Sequence, residues 1–518
     1  MWVGGIVFDI YVISILLVPE VKYRYDYIGN IEVDLGTPLR EVSSKFLSVG
    51  LEPWLMRNDW EKFNTSSLLL QTLVGGLAPA VLRMGGTSAN FLTYDPDASY
   101  DRDVYGYQEL SNQYFTNLNN YEVKDFSNFT MTGQDLSDLL DFVEVVNMSL
   151  LWDVNQFYRD PLGTWDPTNA HLIMQEISKR KQTVLWQLGN EPNIYDHHND
   201  FSITGQQDAL DYATFREELH KVFPEVTVVG PDVTNPKVKV NCIADDKEVR
   251  SNSVVFLREF LTYGAQDLDV VSWHHYYGGG DVTIDDFLDP ALMNNLTNQL
   301  EQMVAVRNEL GPNLPMWLTE TSTFYGGGAP DMSNRYVAGF LWMDKLGLAA
   351  QTGIDLVVRE SLYHGSYSLL SPDLQPNPDY WMSVIYKQQV GGRVLDLQLN
   401  TTTPTVRLYA NCLSTSSQHY KKGAIVLYGM NTGEESALVR LGEGIDDTEV
   451  LEMLLQPTDG DLQSRSVMLN DVVVELTTQE TLPPLDAWPS GVFGGLNIPP
   501  RTMGFWLLPE ADAQACQY

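Results

Sequence analysis

The sequence predicts an α/β protein in two parts. Repeated strand–helix units form a (β/α)8 (TIM) barrel or an open doubly wound sheet, and an antiparallel β-sandwich, joined by an N-terminal segment, follows. Three observations carry this. From about residue 80 to 360, short apolar runs alternate with longer helix-like segments. After about residue 390 the texture changes to alternating strands separated by tight turns. Two of the apolar runs end on a glutamate, and barrel enzymes place their catalytic groups at the C-terminal ends of the strands.

The apolar runs are Val81–Met84, Phe142–Val146, Val184–Leu188, Val226–Val229, Val270–Trp273, Met316–Leu318 and Ile354–Val358. Continuous runs of this kind suit parallel strands covered on both faces. Between the last two, a helix is predicted from about Ser333 to Ala350, with Val337, Phe340, Leu341 and Leu348 near one face. In the C-terminal part, Ala424–Tyr428 and Gly504–Leu508 read as sandwich strands, with turns at 431–433 and 442–444. Ile28–Val33 reads as a further strand of that sheet. The resulting division is 28–50 for N-terminal strands, 51–390 for the barrel with a polar Asn/Tyr/Asp-rich loop at about 97–135, and 391–518 for the sandwich.

Composition narrows the function. The 518 residues hold 32 Lys plus Arg against 68 Asp plus Glu, a net charge of −36. Nucleic-acid binding rests on basic patches and is excluded as a partner class. Residues 2–19 are apolar apart from Asp9 and read as a signal peptide or a membrane-associating anchor, without a basic leader. Five sequons, at Asn64, Asn128, Asn147, Asn295 and Asn400, favour a secretory route and an extracellular or lysosomal location. Asn147 is expected to be buried at a strand end and unused. The three cysteines, Cys242, Cys412 and Cys516, show no metal-ligand spacing, and one disulfide with one free thiol is the simplest arrangement. Neither a metal nor a cofactor is expected.

The chemistry lies at two strand ends. Trp186-Gln-Leu-Gly-Asn190-Glu191-Pro192-Asn193 stops an apolar run on a carboxylate, and Met316-Trp-Leu-Thr-Glu320-Thr321 does the same. A lone strand-end Glu is most often a solvated terminus. Two of them facing each other across a barrel mouth supply what glycoside hydrolysis needs: a proton donor, and a group that attacks or activates water. Asn190 is placed to bond the hydroxyl next to the reacting carbon. Trp273-His274-His275-Tyr276-Tyr277 ends a strand between the two glutamate strands, where His274 or Tyr276 can orient the nucleophile. Tyr325-Gly326-Gly327-Gly328 follows Glu320 and offers backbone N–H groups to a ligand.

These segments resemble the heparanases of glycoside hydrolase family 79, as do Asp344–Leu348 and Pro378–Trp381. The resemblance runs from about residue 28 to the C-terminus. It implies a (β/α)8 barrel with a β-sandwich and a retaining endo-β-glucuronidase acting on heparan sulfate. Glu191 then matches the acid/base and Glu320 the nucleophile. Asn190, His274, Tyr276, Tyr325, Gly326, Gly327, Thr87 and Tyr367 match residues lining the glucuronide subsite, and Cys412 and Cys516 match the sandwich disulfide. There are departures. Glu360 stands where the family has Gln and Glu52 where it has Asp, adding carboxyl groups near the cleft that would disfavour a sulfated ligand. The stretches matching the basic heparin-binding segments hold only Lys124 in one, and Lys237, Lys239, Lys247 and Arg250 diluted by acids in the other. The excised linker of the family is shorter here, at about 97–125. A hyaluronan-cleaving leech member of the same family looks closer around Arg335-Tyr336-Val337 and Tyr363–Leu370. Hyaluronan is therefore the alternative substrate, and a catalytically inactive glycosaminoglycan-binding protein the alternative class.

Overall fold

The computed structural model describes residues 27–517 except 59, 61–62, 100–127, 181, 198–200, 237–251, 280–281 and 415–419. The apolar start at 1–20, most of the 97–135 loop, Cys242, and the lysines and arginine of the diluted basic segments lie outside the described residues.

Eight parallel strands close a barrel: β1 (Leu47–Leu51), β2 (Ala80–Met84), β3 (Met148–Val154), β4 (Val184–Leu188), β5 (Thr227–Val233), β6 (Val270–His275), β7 (Met316–Thr321) and β8 (Leu356–Arg359), with β8 pairing β1. Two expectations change here. β1 lies ahead of the expected barrel boundary at residue 51 and belongs to the barrel rather than the sandwich. The run Phe142–Val146 is not a strand but the end of helix Gly133–Val145, and β3 follows it. Its buried residues, Leu136, Leu139, Leu140, Phe142 and Val143, recur at helical spacing, and Thr132 with Asp135 forms a capping box at its start. The helix expected from Ser333 starts later, at Ala338, and ends at Thr352 on Gly353 in the left-handed conformation.

Inside the barrel the period of two along each strand decides what meets on the axis. Val81, Leu151, Val229, Val270, Leu356 and Val358 form one small apolar cluster with Leu185 and Trp317 packed against it. Two residues further along the same faces stand Arg83, Asp153, Gln187, Ser272 and Thr319, and His274 comes two after Ser272. A dry lower layer therefore carries a polar upper layer at the C-terminal mouth.

The sandwich packs Leu397–Thr401, Gly29–Val33, Ala437–Leu441 and Gly495–Ile498 in one sheet against a nine-stranded sheet built around Val406–Leu413, Ile425–Asn431 and Thr502–Leu508. The N-terminal strand joins as expected, antiparallel to Leu397–Thr401 and parallel to Ala437–Leu441. Ile31, Leu408, Ile425, Val439, Ile498 and Trp506 fill the space between the sheets. Cys412 and Cys516 are bonded across 104 residues. The barrel helix Ala338–Thr352 carries the fully buried Asp344, which accepts from Arg407 and Tyr409 of the sandwich and joins the two units.

Asn147 is exposed at the N-terminal end of β3, with φ +55°, and is not the buried residue expected. Asn64, Asn128 and Asn400 are exposed and Asn295 is half-buried. Among the described residues no helix is long and apolar enough to cross a membrane.

Candidate active site

Glu191 and Glu320 meet at the barrel mouth. Glu191 follows β4 with a left-handed φ of +55° and is held there by its own N–H, which donates to the Asp232 carbonyl at 3.1 Å. For a non-glycine residue this backbone is uncommon and marks a position set by its surroundings. Glu320 sits where the pairing register of β7 shifts against both neighbours. Such an irregularity re-aims a side chain, and Glu320 reaches the cleft although Thr319 beside it also points inward.

One carboxylate oxygen of each glutamate and a ring nitrogen of His274 all lie within 4.8 Å of one another. His274 Nδ1 bonds Glu191 Oε1 at 3.0 Å and lies 3.9 Å from Glu320 Oε2, while Nε2 faces Asp232 at 3.4 Å. Burial by itself would lower the pKa of this fully buried ring. The charges of Glu320 and Asp232, with hydrogen bonds to Asp232 and Glu191, outweigh it and raise the pKa to about 10. The carboxylates on both sides of the ring thus favour its protonated form, with Nδ1 hydrogen-bonded to Glu191 and Nε2 in an ion-pair contact with Asp232.

Glu320 carries the opposite shift. Burial would raise its pKa, but His274, Arg83 and a hydrogen bond from Tyr276 pull it below the ordinary carboxylate value. The Tyr276 hydroxyl donates to Oε1 at 2.7 Å and Arg83 Nη1 to Oε2 at 2.9 Å. Arg83 is fully buried and spends its other donors on Gln187 Oε1 at 2.9 Å, Asn190 Oδ1 at 2.8 Å and Asp232 at 2.8 Å. With Oδ1 of Asn190 engaged, its NH₂ group is left for a ligand.

The other expected residues stand around this centre. The Tyr367 ring stacks against Tyr276, with centroids 6.3 Å apart. Thr87 follows β2, and Tyr325, Gly326 and Gly327 lie on the loop after β7 with Tyr325 half exposed. Residues 326–328 all have φ between 78° and 89°, a run that only glycine adopts readily. Glu52 and Glu360 follow β1 and β8. Burial and then Glu320 push Glu52 up to about 7, and burial, Glu320 and Glu52 push Glu360 well above the usual range. Both shifts favour the neutral acid in acidic medium, which lessens the negative charge expected of them there.

Arg83, Asp153, Gln187, Asp232 and Thr319 went unread in the sequence as site residues. Arg83 carried a signal, because a charge inside the apolar run Ala80–Met84 must find buried partners. Asp232 showed none.

A parallel barrel with two glutamates facing across its C-terminal mouth is the architecture of a glycoside hydrolase, and comparison with known proteins places the chain in that class. It belongs to glycosyl hydrolase family 79: the model of that family's N-terminal domain matches residues 59–347. Heparanase from Bos taurus is 32% identical over 95% of this chain and 93% of its own length. Hyaluronoglucuronidase from Hirudo nipponia is 29% identical over 94% of this chain and 99% of its own. Among solved structures, a 4-O-α-L-rhamnosyl-β-D-glucuronidase from Fusarium oxysporum superposes with a TM-score of 0.66 over 93% of this chain and all of its own, at 14% identity, a likeness of fold.

Proposed function

We propose that the chain is a retaining endo-β-glucuronidase that cuts glucuronide bonds within a glycosaminoglycan, with heparan sulfate as the polymer. The observation that carries this is the approach of Glu191 and Glu320 oxygens to within 4.8 Å. Retaining enzymes hold their carboxyl groups about 5–5.5 Å apart, and inverting ones leave roughly 6.5–9.5 Å for a water. Glu191, the proton donor, protonates the glycosidic oxygen while Glu320 attacks the anomeric carbon, giving a glycosyl ester. Glu191 then takes a proton from the incoming water, which releases the sugar and frees Glu320. The lowered pKa of Glu320 keeps the nucleophile ionised in acidic medium. Asn190 holds the neighbouring hydroxyl, and the glycines after Tyr325 present backbone N–H groups to the uronate.

The family relatives supply the substrate class, and their names point to two polymers. Hyaluronan is the second reading, favoured by the net charge of −36. The two cations touching the pair, Arg83 and His274, are also already engaged by protein carboxylates. The disulfide and the exposed sequons support a secreted or lysosomal location. Release of new reducing ends from each polymer, from acidic to neutral pH, tests the reading. Heparan sulfate should be cut and Glu320→Gln should abolish the cutting. Cleavage of hyaluronan alone selects the second reading, and cleavage of neither removes both, leaving a binding protein without turnover.

A further inference from the structure

Asp232 ends up at the centre of the polar layer. It is fully buried and has a left-handed φ of +56°. Its Oδ1 accepts from Gln187 Nε2 and Thr319 Oγ1, each at 2.6 Å, and from the Ser272 hydroxyl. Its Oδ2 accepts from Arg83 Nη2 at 2.8 Å and faces His274 Nε2 at 3.4 Å. The donors come from β2, β4, β6 and β7, and the main-chain oxygen of Asp232 takes the Glu191 N–H. A carboxylate has about four lone-pair sites. Four hydrogen bonds fill these sites and the His274 ring stands against the same carboxylate, so Asp232 has nothing left for a substrate.

Both glutamates are therefore held at one remove from this residue: Glu191 through the Asp232 carbonyl and His274, Glu320 through Arg83 and His274. The ionisable groups around the His274 ring are Glu191, Glu320, Asp232, Arg83, Asp153 and Glu360. In the double displacement Glu320 loses its charge when the ester forms, and Glu191 alternates between acid and base. Among the three carboxylates that touch the ring, Asp232 keeps its charge throughout. We infer that Asp232 is a positioning residue: its fixed charge beside the ring holds His274 as an imidazolium through both halves of the reaction, and so sets the placement of Glu191 and the placement and ionisation of Glu320. This rests on the reading of the two glutamates as the catalytic pair.

The experiment is a ring-nitrogen NMR titration of histidine-labelled full-length protein, with the His274 signal assigned by its loss in His274→Gln, paired with pH–rate profiles. In the wild type the ring should remain doubly protonated past about pH 8, well above an ordinary histidine. A neutral imidazole at about pH 7 overturns the inference and needs no substrate or variant, so it stands even if Asp232→Asn does not fold or the glycosidase reading fails. In folded Asp232→Asn the ring should titrate at least about one unit lower, kcat should fall about 100-fold or more with KM nearly unchanged, and the alkaline limb of activity should move to lower pH. Unchanged kcat and pH profile overturn it. Ser272→Ala and Thr319→Val remove neutral donors from the same carboxylate and should lower the melting temperature while leaving the His274 midpoint in place. A shift as large as that of Asp232→Asn would assign the effect to packing and also overturn the inference.

Discussion

Tyr276→Phe removes one hydroxyl and keeps the ring that stacks against Tyr367. In the wild type this hydroxyl donates to Glu320 Oε1 at 2.7 Å, and the bond is one of the causes that hold Glu320 below its ordinary pKa. A hydrogen bond to a charged group contributes about 1.5–3 kcal/mol, and one pH unit corresponds to about 1.4 kcal/mol. The bond favours the carboxylate over the acid, so its loss raises the Glu320 pKa by about one to two units. The nucleophile must be ionised, and the acid limb of kcat/KM therefore moves to higher pH by that amount. Below both midpoints the rate falls about 10- to 100-fold, while the plateau changes less. The assay is reducing-end release from the cleaved glycosaminoglycan between about pH 3 and 8, with the melting temperature as a check on folding. An acid limb that stays in place would show that the Tyr276 hydroxyl does not tune Glu320, or that Glu320 is not the nucleophile.

Three further outcomes follow from buried charges and the disulfide. Glu52 has its folded pKa raised to about 7 from an ordinary 4.5, so it contributes stability that is full below about pH 4.5 and is lost as pH rises through about 7. Urea midpoints of the wild type should fall across that window, and Glu52→Gln should show a shallower decline; equal slopes would contradict the burial of this carboxyl. Arg359 and Asp379 form a fully buried ion pair, with the guanidinium 5.0 Å from the Trp342 ring centroid. Arg359→Met should cost about 3–5 kcal/mol in chemical denaturation, because Asp379 is left unpaired. Cys412→Ser should cost about 2–5 kcal/mol of stability while the folded protein still turns over, since the bond ties a sandwich strand to the C-terminal turn and neither cysteine touches the glutamate pair.

Much of this protein was legible from short segments. The strands ending at Glu191 and Glu320 declared themselves because a parallel strand buried on both faces is apolar along its length and a carboxylate can stand only at its end. His274 and Tyr276 could be read for the same reason, and both contact a candidate catalytic glutamate. The error at Phe142–Val146 has a physical cause: a short apolar run looks alike in a buried strand and on the inner face of a helix, and here the capping box at Thr132 was the discriminating signal. β1 went unassigned to the barrel because Leu47–Leu51 carries Ser48 and Gly50 within it.

The residue types at two strand ends, and their order along the chain, were determined by the sequence alone, and with them the class of chemistry. Which charges meet was decided only by closure of the barrel. Arg83, Asp232, His274 and Glu320 stand on four different strands and share one dry volume: the period of two turns Arg83 and His274 toward the axis, while the left-handed backbone at Asp232 and the register shift around Glu320 bring those two carboxylates to the same place. Charge states follow from that proximity in a low dielectric. A linear reading cannot supply them: nothing in the sequence shows that burial and mutual repulsion raise Glu52 and Glu360 above the usual carboxylate range.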